Sequence, residues 1–335
     1  MPIHDPTSEQ QPAGCLTARV EAIAARAMAK GHATKKHTNL PATAHVVNAK
    51  RCQLPTWPDT ARGVPNIALR SALFGAIGKG SRCYLEREKI FAQTGITIMY
   101  TGAQLDQGDL DVWETVLHLA RAQPIGQECN ITAYGLLQLL ELTDTGANRK
   151  TLKRRLSRLN ACALDVQVGP RVHYEGSLIN EIFRDEHSGQ FVIRLNPGLS
   201  TMFGADQFTQ IHWKVRQTLN GHYLAQWLHG FYSSHAAPFP LKIETLHQLS
   251  GSKTADQSKF RQLLRKALNA LSRASTDHGQ PFSYCIDGNL VKVEKTPSKA
   301  QRRHLTKRQD EKNAVTAGRK IPSQQVWDTV TTGRD

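Results

Sequence analysis

The sequence predicts an α+β protein in which one three-helix-plus-hairpin unit occurs twice. Three observations carry that expectation. The same order of helical and strand-like patterns runs through 108–198 and again through 213–295. The third helix of each run sets leucines on one face and cations on the other. The two third helices lie about 108 positions apart, too long a period for a solenoid.

Taken in order, GDLDVWETVLHLARAQ (108–123) puts Leu110, Trp113, Val116, Leu117 and Ala120 in helical register. Thr132 starts the short helix AYGLLQLLEL, and 143–147 is a turn. The stretch GANRKTLKRRLSRLNACAL (146–164) contains no acid and has six basic residues in the ten positions from Arg149 to Arg158. Leu152, Leu156 and Leu159 share one face of this helix, with Asn148 as the expected N-cap. Strands are expected at 163–169, 171–183 and 189–198. In the second run the helices are 213–234, 241–251 and 256–274. The last carries a Phe260, Leu264, Ala267 and Leu271 stripe, and a hairpin at 282–295 turns at Asp287-Gly288.

Helix, short helix, turn, basic helix and hairpin is the order of a winged helix, whose third helix enters a major groove. The fold class is therefore α+β with two tandem winged-helix domains, 63–198 and 199–296. They are flanked by a flexible arm, 1–62, poor in large apolar residues, and a basic tail, 297–335.

Like charges at helical spacing oppose one another, so an all-basic face points to an external anion. On the first basic helix the candidate DNA contacts are Arg149, Lys150, Lys153, Arg154, Ser157 and Arg158. On the second they are Ser258, Lys259, Gln262, Arg265, Lys266 and Asn269, with Lys292 from the following hairpin. Arg and Gln suit bidentate readout of guanine and adenine edges. The competing reading is a pair of packed α+β domains that bind protein. The first hairpin is tipped by Arg184, Asp185, Glu186 and His187; acids there repel phosphate, so it is expected to face protein. Its Leu178, Ile179, Ile182 and Phe183 are the candidate dimer interface, as an apolar edge able to pair with a second copy.

Composition agrees. Net charge of +15 over 335 residues favours nucleic acid, or less often anionic membrane. No run of about 18 apolar residues exists, the N-terminus does not read as a secretory signal, and six scattered cysteines read as reduced thiols in a cytosol. GAIGKGS (75–81) lacks the spacing of a phosphate loop, and no nucleophile or metal-ligand constellation stands out. The expectation is a cytoplasmic binding protein with no cofactor, no metal and no enzymatic activity.

RGVPNIALRSALFGAI (62–77) and YLEREKIFAQTGITIMYTGAQLDQGDLDVWETVLHLA (84–120), followed by the first basic helix, resemble the TrfA family of plasmid replication initiators. The resemblance runs in the same order from about Arg62 to Lys295. It implies binding to repeated origin sites (iterons), opening of AT-rich DNA as single strands, recruitment of the host replicative helicase with DnaA, and monomers active on DNA in equilibrium with inactive homodimers. CQLPTWP (52–58) resembles the peptide by which such initiators dock on the replicative sliding clamp; Gln53 and Leu54 match it, Trp57 offers an aromatic anchor, and Thr56 departs from it. The alternative to an initiator is a winged-helix transcriptional repressor without origin-melting activity.

Overall fold

The computed structural model describes residues 53–316 other than Lys79, Ser81, Arg171, Glu186, Ser188 and Ala205. The fold is a mixture of helices, small antiparallel sheets and one parallel pair, β2 (Phe74–Gly75) with β5 (Leu105–Asp106), arranged around one central helix, Gln107–Ala120. That helix starts on a reciprocal cap: Asp106 accepts from the Asp109 backbone N–H at 2.8 Å, and Asp109 accepts from the Asp106 backbone N–H at 3.0 Å. The sequence predicts one buried stripe on it, but almost every residue of the helix is buried. Its polar positions can be enclosed because each faces a partner, described below.

The repeated unit is visible in the sheets. In the first half β6 (Glu128–Thr132) precedes the short helix Ala133–Leu139 and the basic helix Gly146–Asn160. β9 (Glu181–Arg184) and β10 (Gln190–Arg194) follow as a hairpin, and the strand order is β6-β10-β9. In the second half β12 (Leu241–Lys242) precedes helices Ile243–Ser250 and Gln257–Asp277. The hairpin β13 (Phe282–Asp287) and β14 (Leu290–Lys295) follows, and the order is β12-β14-β13. In both halves the strand before the short helix pairs with the returning strand of the hairpin.

The halves differ by insertion. The expected strand over 171–183 is two strands, β8 (Val172–Gly176) and the start of β9. β7 (Ala163–Val168) and β8 leave the first hairpin and extend β3 (Tyr84–Ile90) and β4 (Ile96–Ala103) into a sheet ordered β3-β4-β7-β8. The expected long helix over 213–234 is also two, Trp213–Thr218 and Tyr223–Ser233, broken at Asn220-Gly221 where Gly221 takes a φ of +84°. Helix Lys299–Thr316 replaces the first part of the expected basic tail.

The arm expected over 1–62 is corrected at its end; residues 1–52 lie outside the described ones. Leu54 and Trp57 are buried, and β1 (Ala61–Pro65) pairs antiparallel with β11 (Phe208–His212). The Trp57 ring stacks on Phe203 at a 6.3 Å centroid separation and leans on Phe208. A Cβ on Gly63 would lie 2.5 Å from that ring, so only glycine lets β1 pass this closely. The indole N–H donates to His118 Nδ1 at 3.1 Å, and His118 Nε2 lies 3.3 Å from Asp59. Burial, followed by the neighbouring Arg62 and Arg121 charges, pushes His118 down to about 4, so it accepts as a neutral ring.

Two hydrophobic clusters form, one around the central helix and one around Phe231, Phe260 and Leu264. The first extends to Ile211 and Trp213, beyond the expected division at 198/199. No helix among the described residues is long and apolar enough to cross a membrane.

Trp57→Ala should cost about 3–5 kcal/mol of unfolding free energy, the usual loss for emptying a buried tryptophan site. Urea denaturation reads it, and a loss under about 1 kcal/mol would contradict the burial.

A second expectation concerns pH. Burial holds His229, whose Nδ1 has no hydrogen-bond partner among the described residues, down at about 3. A depressed histidine contributes stability that is complete above its unfolded value near 6.5 and is lost as pH falls toward the folded value. His229→Leu should therefore flatten the decline of stability between pH 6 and 4 by about 1.4 kcal/mol per pH unit. Parallel declines in the two proteins would refute a neutral buried His229.

Candidate nucleic-acid interface

The first basic helix lies on the central helix through Leu152, Leu156 and Leu159, all buried. Its N-cap is Thr145, not Asn148: the Thr145 hydroxyl accepts from the Asn148 backbone N–H, and the Asn148 side chain turns back to donate to the Thr143 carbonyl. Threonine is itself a favoured N-cap, its hydroxyl taking up a first-turn N–H that would otherwise lack a partner.

The six cations of this helix divide by geometry. Arg149 forms a fork with Asp144 at 2.5 and 2.6 Å, which holds that carboxyl below its usual range. Arg158 is corrected from a DNA contact to a structural residue. Its guanidinium turns inward onto Asp109, which is wholly buried, with Nη2–Oδ1 at 2.5 Å. Arg155 lies along the central helix so closely that a Cβ on Gly108 would fall 2.0 Å from its Nη2. Lys150, Lys153 and Arg154 remain exposed with no carboxylate within 4 Å among the described residues, and Ser157 is exposed beside them.

The second basic helix is capped by Asp256, which accepts from the Ser258 and Lys259 backbone N–H groups. Phe260, Leu264, Leu268 and Leu271 face the core, and Ser258, Lys259, Gln262, Arg265, Lys266 and Asn269 are all exposed opposite them. The hairpin is fastened to this helix at two points. Arg261 donates to the Gly288 carbonyl at 2.9 Å, and the Tyr284 hydroxyl donates to Asn269 Oδ1 at 2.7 Å. Asn269 is thus partly engaged, with its amide N–H₂ still available. Lys292 reaches Asp287 at 3.1 Å, an exposed pair worth little in water that leaves the lysine usable.

The first hairpin does not present the expected apolar edge. Leu178 and Ile179 are buried, and the Leu178 carbonyl accepts from Trp113 Nε1 at 3.1 Å. They precede β9 and plug the core under it, so they are corrected from an interface to packing residues. Ile182 is half-buried, and only Phe183 is exposed, with the Arg194 guanidinium 5.6 Å from its ring.

Sequence reasoning missed the residues that join the two basic helices. Arg216, 1% exposed, leaves the second half and enters the first. Its Nε donates to Asp111 at 2.6 Å, and its Nη2 donates to the Gln107 carbonyl and side chain at 3.1 and 3.2 Å. Glu114 Oε1 lies 2.6 Å from the same Nε, whose one hydrogen is already given to Asp111; Glu114 is held by charge alone. Burial then pushes the Glu114 carboxyl well above the ordinary carboxylate range. Asp109, Asp111 and Glu114 on one short helix were the available signal, but their partners are far away in sequence.

Removing the Arg158 side chain would strand a buried carboxylate. Arg158→Ala should cost about 3–5 kcal/mol in urea unfolding, and Lys153→Ala less than about 0.5 kcal/mol. Similar small losses for both would return Arg158 to the outward face.

Residues 16–281 match the family described as TrfA protein. The plasmid replication initiator protein TrfA of Escherichia coli is 32% identical over 222 residues, covering 64% of this chain and 58% of that protein. The chain therefore spans under two thirds of that relative's length. Among solved structures, domains 2 and 3 of RctB align at a TM-score of 0.44 and 11% identity, covering 66% of this chain and 94% of that one. The Pi initiator protein in complex with iteron DNA aligns at 0.40 and 14%, covering 58% and 94%.

Proposed function

The chain belongs to the TrfA family, and on that premise we propose that it is a sequence-specific DNA-binding initiator of plasmid replication. One observation carries the reading: two helices in equivalent positions of a repeated strand–helix–helix–hairpin unit both turn unneutralised cations outward. In this reading each unit is a winged helix with its basic helix in a major groove. Lys150, Lys153, Arg154 and Ser157 serve one half-site, and Lys259, Gln262, Arg265 and Lys266 serve the other. The buried joint at Arg216 fixes the separation of the two helices, so a rigid pair reads two groove segments in one register. Domain limits follow the chemistry, with the first unit extending to Trp213.

The sites are iterons, direct repeats in origin duplex. Binding precedes opening of adjacent AT-rich DNA and recruitment of the host helicase with DnaA. The cytoplasm is the compartment in which that machinery works. Self-association, where it occurs, uses the β9 edge and Phe183.

Arg154→Ala and Arg265→Ala should each weaken specific binding by about 1–3 kcal/mol, roughly 5- to 150-fold, and relax preference at one base position. Footprinting on the origin region followed by titration of intact and single-base-altered repeats measures it. Equal losses on repeats and random duplex would make both residues phosphate contacts. Melting of a supercoiled origin separates initiation from repression, since a repressor protects the same sites without unwinding them.

A further inference from the structure

Helix Lys299–Thr316 is not an extension of the second hairpin but a separate element laid on the body of the protein. Its inward side is Gln301, His304, Leu305 and Arg308, spaced at i, i+3, i+4 and i+7. Gln301 Nε2 donates to the Ser233 carbonyl at 2.7 Å, and its Oε1 accepts from Lys295 Nζ at 3.0 Å. His304 Nδ1 sits 3.2 Å from Asp206. These contacts fix the rotation of the helix about its axis.

That rotation leaves Lys299, Arg302, Arg303, Thr306, Lys307 and Asp310 on the outer side, all exposed. None of the four cations has a carboxylate within 4 Å among the described residues, and with Asp310 as the one acid among these six residues the face carries a surplus of positive charge. The helix also begins only four positions after Lys295, the end of the hairpin next to the second basic helix. Lys299 to Lys307 spans about 12 Å of helix at 1.5 Å per residue. A DNA strand presents one phosphate per about 3.4 Å of duplex axis, so the row matches three or four successive phosphates of one strand.

We propose that the outer face of helix Lys299–Thr316, through Lys299, Arg302, Arg303 and Lys307, is a third DNA-binding surface that grips the phosphate backbone beyond the segment held by the two basic helices. The inference rests on the DNA-binding reading above and adds a contact that reads no sequence. Lysine and arginine without aromatic neighbours, beside amides that bond to each other (Gln309 to Asn313), suit phosphate, not base edges.

The test uses the full chain with all four cations changed: Lys299→Gln, Arg302→Gln, Arg303→Gln and Lys307→Gln. The inward residues that dock the helix stay unchanged. Binding to a random-sequence duplex of about 40 base pairs is titrated between 50 and 200 mM salt. The slope of log affinity against log salt should become shallower by about 3, since each lost phosphate contact removes about 0.9. Over that fourfold salt range the intact chain should lose roughly 60-fold more affinity than the variant. On a duplex of about 15 base pairs the difference should largely vanish, because the third surface has no backbone to reach. Restoring charge with Lys at 302 and 303 should recover about half the slope, which a merely structural role would not predict.

An unchanged slope overturns the proposal. So does an unchanged slope accompanied by loss of plasmid maintenance, which would give the surface to an acidic protein. If Arg154→Ala and Arg265→Ala weaken binding while the fourfold variant does not, the third surface alone fails. If the intact chain binds no duplex, the DNA-binding reading itself fails.

Discussion

Arg216 against Asp111 and Glu114 is the contact on which the rest depends. An arginine taken wholly out of water costs several kcal/mol unless its charge and donors are met. Here the meeting groups sit on the other half of the molecule, so the two halves can separate only by exposing or orphaning three charges. Apolar packing alone would tolerate sliding between the halves, whereas a forked guanidinium accepts one geometry. A rigid distance between two outward helices is what reading two groove segments requires.

The central helix serves as the receiving surface for that contact and for others. Asp109 meets Arg158, Gln107 meets both Arg216 and the Phe74 carbonyl, Trp113 meets the Leu178 carbonyl, and His118 meets Trp57. The segment GDLDVWE, the most recognisable in the chain, therefore carries architecture and not recognition. Its aspartates and the Trp113 N–H find hydrogen-bond partners indoors, and Glu114 is held by the charge of Arg216.

Cations in this protein do two jobs that composition cannot distinguish. Arg158 and Arg216 neutralise buried acids; Lys150, Lys153, Arg154, Arg265 and Lys266 remain in water. An arginine at the edge of a helical face can turn either way, and the presence of a buried carboxylate across the groove decides it. Lysine, strongly hydrated, stays outside. This is why the lysines expected on the outer faces are all found there and one of the arginines is not.

Local spacing determined what local physics controls: the leucine stripes, the basic faces, the two hairpins and the repeat of the unit were all legible, because amphipathic periodicity is enforced wherever one side meets a core. Long-range pairing decided the remainder. Trp57 looks like an isolated aromatic in a proline-flanked segment, yet Phe203 and Phe208, some 150 positions later, close over it. Leu178 and Ile179 look like an edge strand until β7 and β8 are drawn away to β4, leaving the two side chains to fill the core. The breadth of the buried surface on the central helix, the inward turn of Arg158 and the joint at Arg216 likewise depend on partners tens of residues away. A sequence states which side chains want burial or a counter-charge; which group supplies it is settled only when the chain returns.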